Sequence, residues 1–223
     1  MIAATDFDAI LFDLDGTLID SAPDLAGAAN DMRVARGLEP HHLNHYRAMV
    51  GSGARGMLSR AFEIGPEADS FIGMRDEFLN RYESRMTRQT HVFTDVLPLL
   101  DALDASAQRW GIVTNKAERF AVQLVNALPP LATHAVLICG DTTPHAKPHP
   151  EPLLEAARRL GLQPTRCLYV GDDHRDVLAG TAAGMTTAAA AWGYLGAGEP
   201  VEAWNANHVL MAPKDLLKLL SLA

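Results

Sequence analysis

Ala9-Ile10-Leu11-Phe12-Asp13-Leu14-Asp15-Gly16-Thr17-Leu18 is an apolar run that ends in two alternating carboxylates and a glycine. A short, unbroken apolar run suits a central strand of a parallel sheet, buried on both faces. In extended chain, residues two apart point the same way, so Asp13 and Asp15 face one space and Leu14 the other. Open α/β sheets bind ligands at the carboxyl ends of their strands, which is where these two acids fall. Gly16 lets the backbone turn sharply away from the strand.

Two neighbouring carboxylates repel when both are ionised. Either a divalent cation relieves the repulsion, or one carboxyl keeps a proton and serves as an acid. Both outcomes suit phosphoryl transfer, in which a carboxylate nucleophile takes the phosphoryl group and a neighbour protonates the leaving alcohol. An isolated Asp-x-Asp is equally an ordinary strand-to-helix turn, because Asp is a common turn former. The rest of the chain decides between them.

Similar apolar runs recur at residues 110–114, 135–139, 167–170 and 186–191. Helical patterns separate them at 95–104, 117–128, 151–160 and 175–183. This alternation predicts right-handed βαβ units and a doubly wound α/β fold on a parallel sheet. Residues 22–88 break the alternation. They show helical patterns interrupted by Gly37, by Gly51-Ser52-Gly53 and by Gly65-Pro66, and no strand pattern. Such a block predicts an all-helical domain inserted after the first strand. A closing helix is expected over 213–222, with Pro213 in its first turn.

Three further stretches follow later strands. Gly171-Asp172-Asp173-His174-Arg175-Asp176 puts Asp172 at a strand exit and Asp176 one helical turn on. Hard oxygen ligands from separate strands suit magnesium. Taken alone, acids at a helix start are equally a favourable arrangement with the helix dipole. Thr114-Asn115 offers a hydroxyl and an amide to phosphate oxygens, although both residue types are common helix caps. Lys147-Pro148 offers a point charge to a phosphoryl group. Four such elements after successive strands make coincidence a poor explanation.

Composition sets the outer bounds. The 223 residues are 48% hydrophobic and 21% charged, as in an ordinary globular enzyme. A net charge of −8 argues against nucleic-acid partners, which need a basic surface. A metal and one lysine can still reverse the field locally for a small anion. Two cysteines, Cys139 and Cys167, lie in apolar runs, and a reducing cytoplasmic setting is expected. No signal-peptide pattern is evident and no apolar run is long enough to span a bilayer, so no membrane partner is expected.

In these motifs and their order the chain resembles the haloacid dehalogenase superfamily of phosphatases. The matching residues are Asp13 to Leu18, Thr114-Asn115, Lys147-Pro148 and Gly171 to Asp176, which together span nearly the whole chain. The resemblance implies a core domain over 1–20 and 90–223, and a mobile helical cap over 21–89. It implies Asp13 as nucleophile and magnesium ligand, and Asp15 as general acid and base with its main-chain carbonyl on the metal. Thr114, Asn115 and Lys147 would hold the phosphoryl group. Asp172 would ligate magnesium, supported from behind by Asp176 or Asp173. The first strand would lie between the second and fourth. A small phosphate ester is the expected partner, for a monomer or homodimer.

Asp15 separates the chain from the dehalogenases, which lack a second aspartate there, and Leu14 from the cation pumps, which carry lysine. A receiver-like phosphorylation switch is disfavoured by the large insertion. Sugar-phosphate mutases keep both aspartates and stay open as an alternative. So does a catalytically silent binding protein, although none of Asp13, Asp15, Lys147 or Asp172 has been lost. Trp110 to Lys116, Gly171 to Asp176 and Trp192-Gly193-Tyr194 resemble, more narrowly, bacterial N-acetylmuramic acid 6-phosphate phosphatases, which are often labelled phosphoglycolate phosphatases. Within the inserted block, Gly51-Ser52-Gly53-Ala54-Arg55 is the specificity candidate, with Arg55 placed to pair with a substrate carboxylate. It is equally a helix–helix turn with a surface arginine. The histidines show no zinc spacing, and His145 is the one expected near phosphate. Trp110 and Trp204 are expected to be packing residues.

Overall fold

The computed structural model describes residues 7–222. In chain order the elements are β1 (Ala9–Phe12), β2 (Ile19–Asp20), α1 (Ala22–Val34), α2 (Gly53–Phe62), α3 (Phe71–Glu83), β3 (His91–Val92), α4 (Leu97–Ala105) and β4 (Trp110–Val113). There follow α5 (Glu118–Ala127), β5 (Leu137–Ile138), α6 (Glu151–Leu160), β6 (Cys167–Gly171), α7 (His174–Ala182), β7 (Thr186–Ala190), β8 (His208–Leu210) and α8 (Pro213–Leu219). No helix among the described residues is long and apolar enough to cross a membrane.

Six strands form one parallel sheet in the order β5-β4-β1-β6-β7-β8. The strand at Ala9–Phe12 lies at its centre between β4 and β6, as the family's sheet order implies. Its four side chains are fully buried, and they divide by parity. Ile10 and Phe12 pack into a cluster with residues of α4, α5 and α8. Ala9 and Leu11 pack into a second cluster with residues of α6 and α7. Helices therefore cover both faces, which is why the strand is apolar throughout instead of alternating. Each such buried side chain contributes roughly 1.5–3 kcal/mol if it is Leu, Ile or Phe, so the run that ends in Asp13 is firmly held.

The second and third expected strands shorten to Trp110–Val113 and Leu137–Ile138. Strands β2, β3 and β8 lie outside the sequence expectation. At two or three residues each, they are too short to show a period of two. Trp110 and Trp204 are buried, as expected of packing residues.

Helices α1, α2 and α3 lie between β2 and β3, which pair antiparallel through Ile19 with Val92 and Asp20 with His91. Asp24, in the first turn of α1, is fully buried. One of its oxygens accepts the Gln89 and Thr90 amides and the Thr90 hydroxyl, each at 2.9 Å. One carboxylate thus fastens the start of the helical segment to its end. The glycine-marked breaks coincide with helix boundaries: Gly37 follows α1 with φ +72°, and Gly53 opens α2 with φ +57°.

Candidate active site

Sheet pairing carries each motif to one edge. The Asp13 amide donates to the Val170 carbonyl at 2.9 Å, and the Thr114 amide donates to Ile138 at 2.9 Å. Asp13, Thr114 and Asp172 therefore leave three adjacent strands side by side. They line one cavity of about 270 Å³, together with Asp15, Asn115, Lys116, Lys147 and Asp176. Leu25, Val50, Phe78, Leu79 and Tyr82, all from the helical segment between β2 and β3, form much of its apolar wall.

Lys147 is the electrostatic centre. Its ammonium lies 2.8 Å from Asp13 Oδ1, 2.7 Å from Asp176 Oδ1, 2.7 Å from the Tyr169 hydroxyl and 2.9 Å from the Val113 carbonyl. Burial alone would depress the ammonium, but Asp13 and Asp176 outweigh it and hold Lys147 above its ordinary value. The Asn115 side chain faces the Lys147 main chain. Its amide donates to the Lys147 carbonyl and its carbonyl accepts the Lys147 amide, both at 2.9 Å. This side chain thus clamps the main chain that carries the lysine. Thr114 Oγ1 accepts the Lys116 amide at 3.1 Å, which leaves its hydroxyl proton for the cavity. The Lys147–Pro148 peptide is cis.

Asp172 accepts from the Thr17 hydroxyl at 2.7 Å and the Tyr194 amide at 2.8 Å. A Cβ on Gly16, whose φ is +92°, would stand 2.2 Å from Asp172 Oδ2, and one on Gly193 would stand 2.1 Å from Asp172 Cβ. Both glycines let backbone press against this carboxylate. Asp173 caps α7 and pairs with Arg175 at 2.7 Å, while the Asp176 carboxylate completes the capping box by accepting the Asp173 amide at 3.1 Å. Arg175 also donates to the Gly51 carbonyl at 2.6 Å, which ties this turn to the helical segment.

Asp13, Asp172 and Asp176 each bring an oxygen within 4.8 Å of the others. Burial first, then the attraction of Lys147 set against the repulsion of Asp176, leave Asp13 pushed up to about 7. Burial and the same two neighbouring acids raise Asp172 well above the ordinary carboxylate range. Three carboxylates facing one ammonium carry two uncompensated negative charges when ionised, and all offer hard oxygen donors. That donor set fits magnesium. The Asp15 side chain lies outside this cluster, because Lys116 holds both of its oxygens at 3.0 Å.

Thr17, Lys116 and Tyr194 lie inside stretches that carry the family resemblance but have no role of their own in the sequence reading, and Tyr169 has no sequence signal at all. Arg55, the expected specificity residue, is exposed on α2 and is not part of the cavity lining. His145 is exposed too. It stacks on His149 with centroids 4.4 Å apart and contacts Glu151 at 2.7 Å.

The profile of the haloacid dehalogenase-like hydrolases matches residues 10–190, which include Asp13 to Leu18, Thr114-Asn115, Lys147-Pro148 and Gly171 to Asp176. The chain belongs to this family. It is an enzyme, a phosphoric monoester hydrolase, as the order of its motifs predicts. Among curated members, it is 46% identical over 209 residues to the phosphoglycolate phosphatase of Xanthomonas campestris pv. campestris, covering 93% of this chain and 94% of that one. It is 40% identical over 215 residues to the N-acetylmuramic acid 6-phosphate phosphatase of Pseudomonas putida, covering 96% of each. Among solved structures, a predicted phosphoglycolate phosphatase from Haemophilus somnus superposes with a TM-score of 0.84 at 28% identity, over 96% of this chain and 98% of that one.

Proposed function

We propose that this hydrolase is a magnesium-dependent phosphomonoesterase that works through an aspartyl-phosphate on Asp13. The observation that carries the proposal is the environment of Asp13: it leaves the central strand into a cavity, with one oxygen held by Lys147 at 2.8 Å. In this mechanism an Asp13 oxygen attacks phosphorus as the bond to the leaving oxygen breaks, and Asp15 gives that oxygen a proton. Asp15 then takes a proton from water, the water attacks phosphorus, and the bond to Asp13 breaks to release inorganic phosphate. Lys147 and Thr114 hold the phosphoryl oxygens, and Asn115 fixes Lys147 from behind. Lys116 and Ser21, whose hydroxyl donates to Asp15 Oδ1, aim the second carboxylate. Asp13 and Asp172, with the Asp15 main-chain carbonyl, would hold magnesium, and Asp176 and Asp173 would support them. Bound there, the ion supplies charge neutralisation at the phosphoryl group.

The substrate under this proposal is a small phosphorylated metabolite, 2-phosphoglycolate or N-acetylmuramic acid 6-phosphate, as the names of the two curated relatives suggest. Residues 21–89 act as a cap over a core of 1–20 and 90–223. Closure of the cap excludes water until the hydrolytic step. The enzyme works in the cytoplasm, in keeping with two free, buried cysteines.

The test is release of inorganic phosphate from these two esters and several sugar phosphates, with magnesium and with chelator. Release that chelator does not affect would remove the metal role. Isomerised sugar phosphate in place of inorganic phosphate would assign a mutase.

A further inference from the structure

We propose that Arg119 recognises a carboxylate carried by the substrate, so that the preferred substrates are phosphate esters with a second, carboxylate anion; this rests on the phosphatase reading above. Four cationic side chains line the cavity: Lys116, Arg119, Lys147 and Arg175. Three of them are already neutralised. Lys116 is held by Asp15 at 3.0 Å, Lys147 by Asp13 and Asp176 at 2.8 and 2.7 Å, and Arg175 by Asp173 at 2.7 Å. Arg119 alone has no carboxylate partner among the described residues. In a cavity whose other cations are committed, it is the charge left for a ligand.

Its position gives that charge a geometry. The Arg119 guanidinium lies over the Phe120 ring, 4.3 Å from the centroid. Phe120 packs edge-on against Tyr82 with centroids 5.4 Å apart, and Lys116 Nζ lies 5.0 Å from the Tyr82 centroid. A continuous line of contacts therefore runs from Asp15 through Lys116, Tyr82 and Phe120 to Arg119. An ester with its phosphorus at Asp13 would lay its carbon skeleton along the two rings and bring a distal anion to the guanidinium. A guanidinium flattened on an aromatic ring keeps its N–H edge free for bidentate binding of a carboxylate. Arg119 also sits in the first turn of α5, where the helix dipole disfavours an unpaired cation and favours a bound anion. Arg55, the sequence candidate for this role, and Arg119 are both exposed to solvent, and of the two only Arg119 lines the cavity.

The test measures binding by calorimetry in the Asp13→Asn background, with and without Arg119→Ala. N-acetylmuramic acid 6-phosphate, long enough to span the two rings, is compared with N-acetylglucosamine 6-phosphate, which lacks the lactyl carboxylate. The carboxylate ester is expected to bind more tightly. Arg119→Ala should shrink that preference by about tenfold to a hundredfold, the range of a hydrogen-bonded charge pair, and Arg119→Lys should keep part of it. The kcat/KM ratios of the active enzyme should follow. Absence of any preference, a preference that survives Arg119→Ala, or a fall on Arg55→Ala instead would each overturn the proposal. Failure of the phosphatase reading shows separately, as no phosphate released from any ester, because binding to the Asp13→Asn chain still reports on Arg119.

Discussion

Lys116 Nζ lies 3.0 Å from both carboxylate oxygens of Asp15, in an ion pair that joins the exit of the second main strand to the exit of the first. Burial would depress the lysine, but Asp15 outweighs it and holds the ammonium above its ordinary value. The pair is nearly closed to solvent, with side chains 8% and 14% exposed. It fixes which way the proposed acid and base points. Lys116→Met, close in volume and without charge, should lower kcat by about a hundredfold, the lower end of what a positioned general acid supplies, and leave KM within a few-fold. Steady-state kinetics check this. A raised KM at constant kcat would make Lys116 a substrate-binding residue instead.

Asp13→Asn should lower turnover on the order of a thousandfold or more, as removal of a nucleophile does, while circular dichroism and chromatographic behaviour stay those of the parent. Turnover near the parent's, with contaminating phosphatase excluded, would end the nucleophile assignment.

The acidic cluster couples stability to pH. Burial raises Asp13 from 3.8 to about 7, and it raises Asp172 well above its ordinary value too. Between those limits the folded chain holds more protons than the unfolded one, so metal-free stability should fall as pH rises from about 4 through 7. Magnesium competes with the same protons. Its gain in Tm should therefore be small at pH 5 and large at pH 8. At about a hundred times its Kd the ion adds roughly 2.7 kcal/mol, or about 5–10 °C for a chain of this size. Calorimetry with and without magnesium at the two pH values checks the sign. Equal gains would contradict it.

Lys147→Met leaves Asp13 and Asp176 without their counter-ion. Loss of one partner from a buried charge pair costs about 3–5 kcal/mol, so Tm should fall on the order of 10 °C. Lys147→Arg should not restore it, because a planar guanidinium cannot replace a point charge set among four oxygens. An unchanged Tm in Lys147→Met would show that the cluster does not depend on this lysine.

Gly193→Ala puts a Cβ 2.1 Å from Asp172 Cβ, which the short, buried aspartate cannot avoid by rotation. Overpacking of this kind costs about 1–3 kcal/mol, and the displaced carboxylate should also weaken magnesium binding. Thermal unfolding and metal titration read the two effects. Full retention of both would mean that the backbone there yields freely.

Much of this was legible in local sequence. The central strand, the alternation around it and the helical character of 22–88 follow from apolar spacing and glycine placement. The carboxylates at strand exits follow because pairing fixes where each strand ends. What spacing does not carry is the direction of a side chain once its strand gives way to a loop. The Asn115 amide turns back to the Lys147 main chain, and Lys116 turns across to Asp15. Tyr169 reaches Lys147 from inside the sheet. Each of these contacts joins residues far apart in the chain, and each is decided by which cavity wall happens to face it. The same limit separates Arg55 from Arg119. Both are arginines near a helix start, and only the tertiary structure puts one of them, Arg119, over Phe120 in the cavity wall. The sequence alone determined the strand order's chemistry: which acids, which lysine, at which strand ends. The tertiary structure alone decided how those charges pair, because a pair's partners are chosen by distance across the fold and not by distance along the chain.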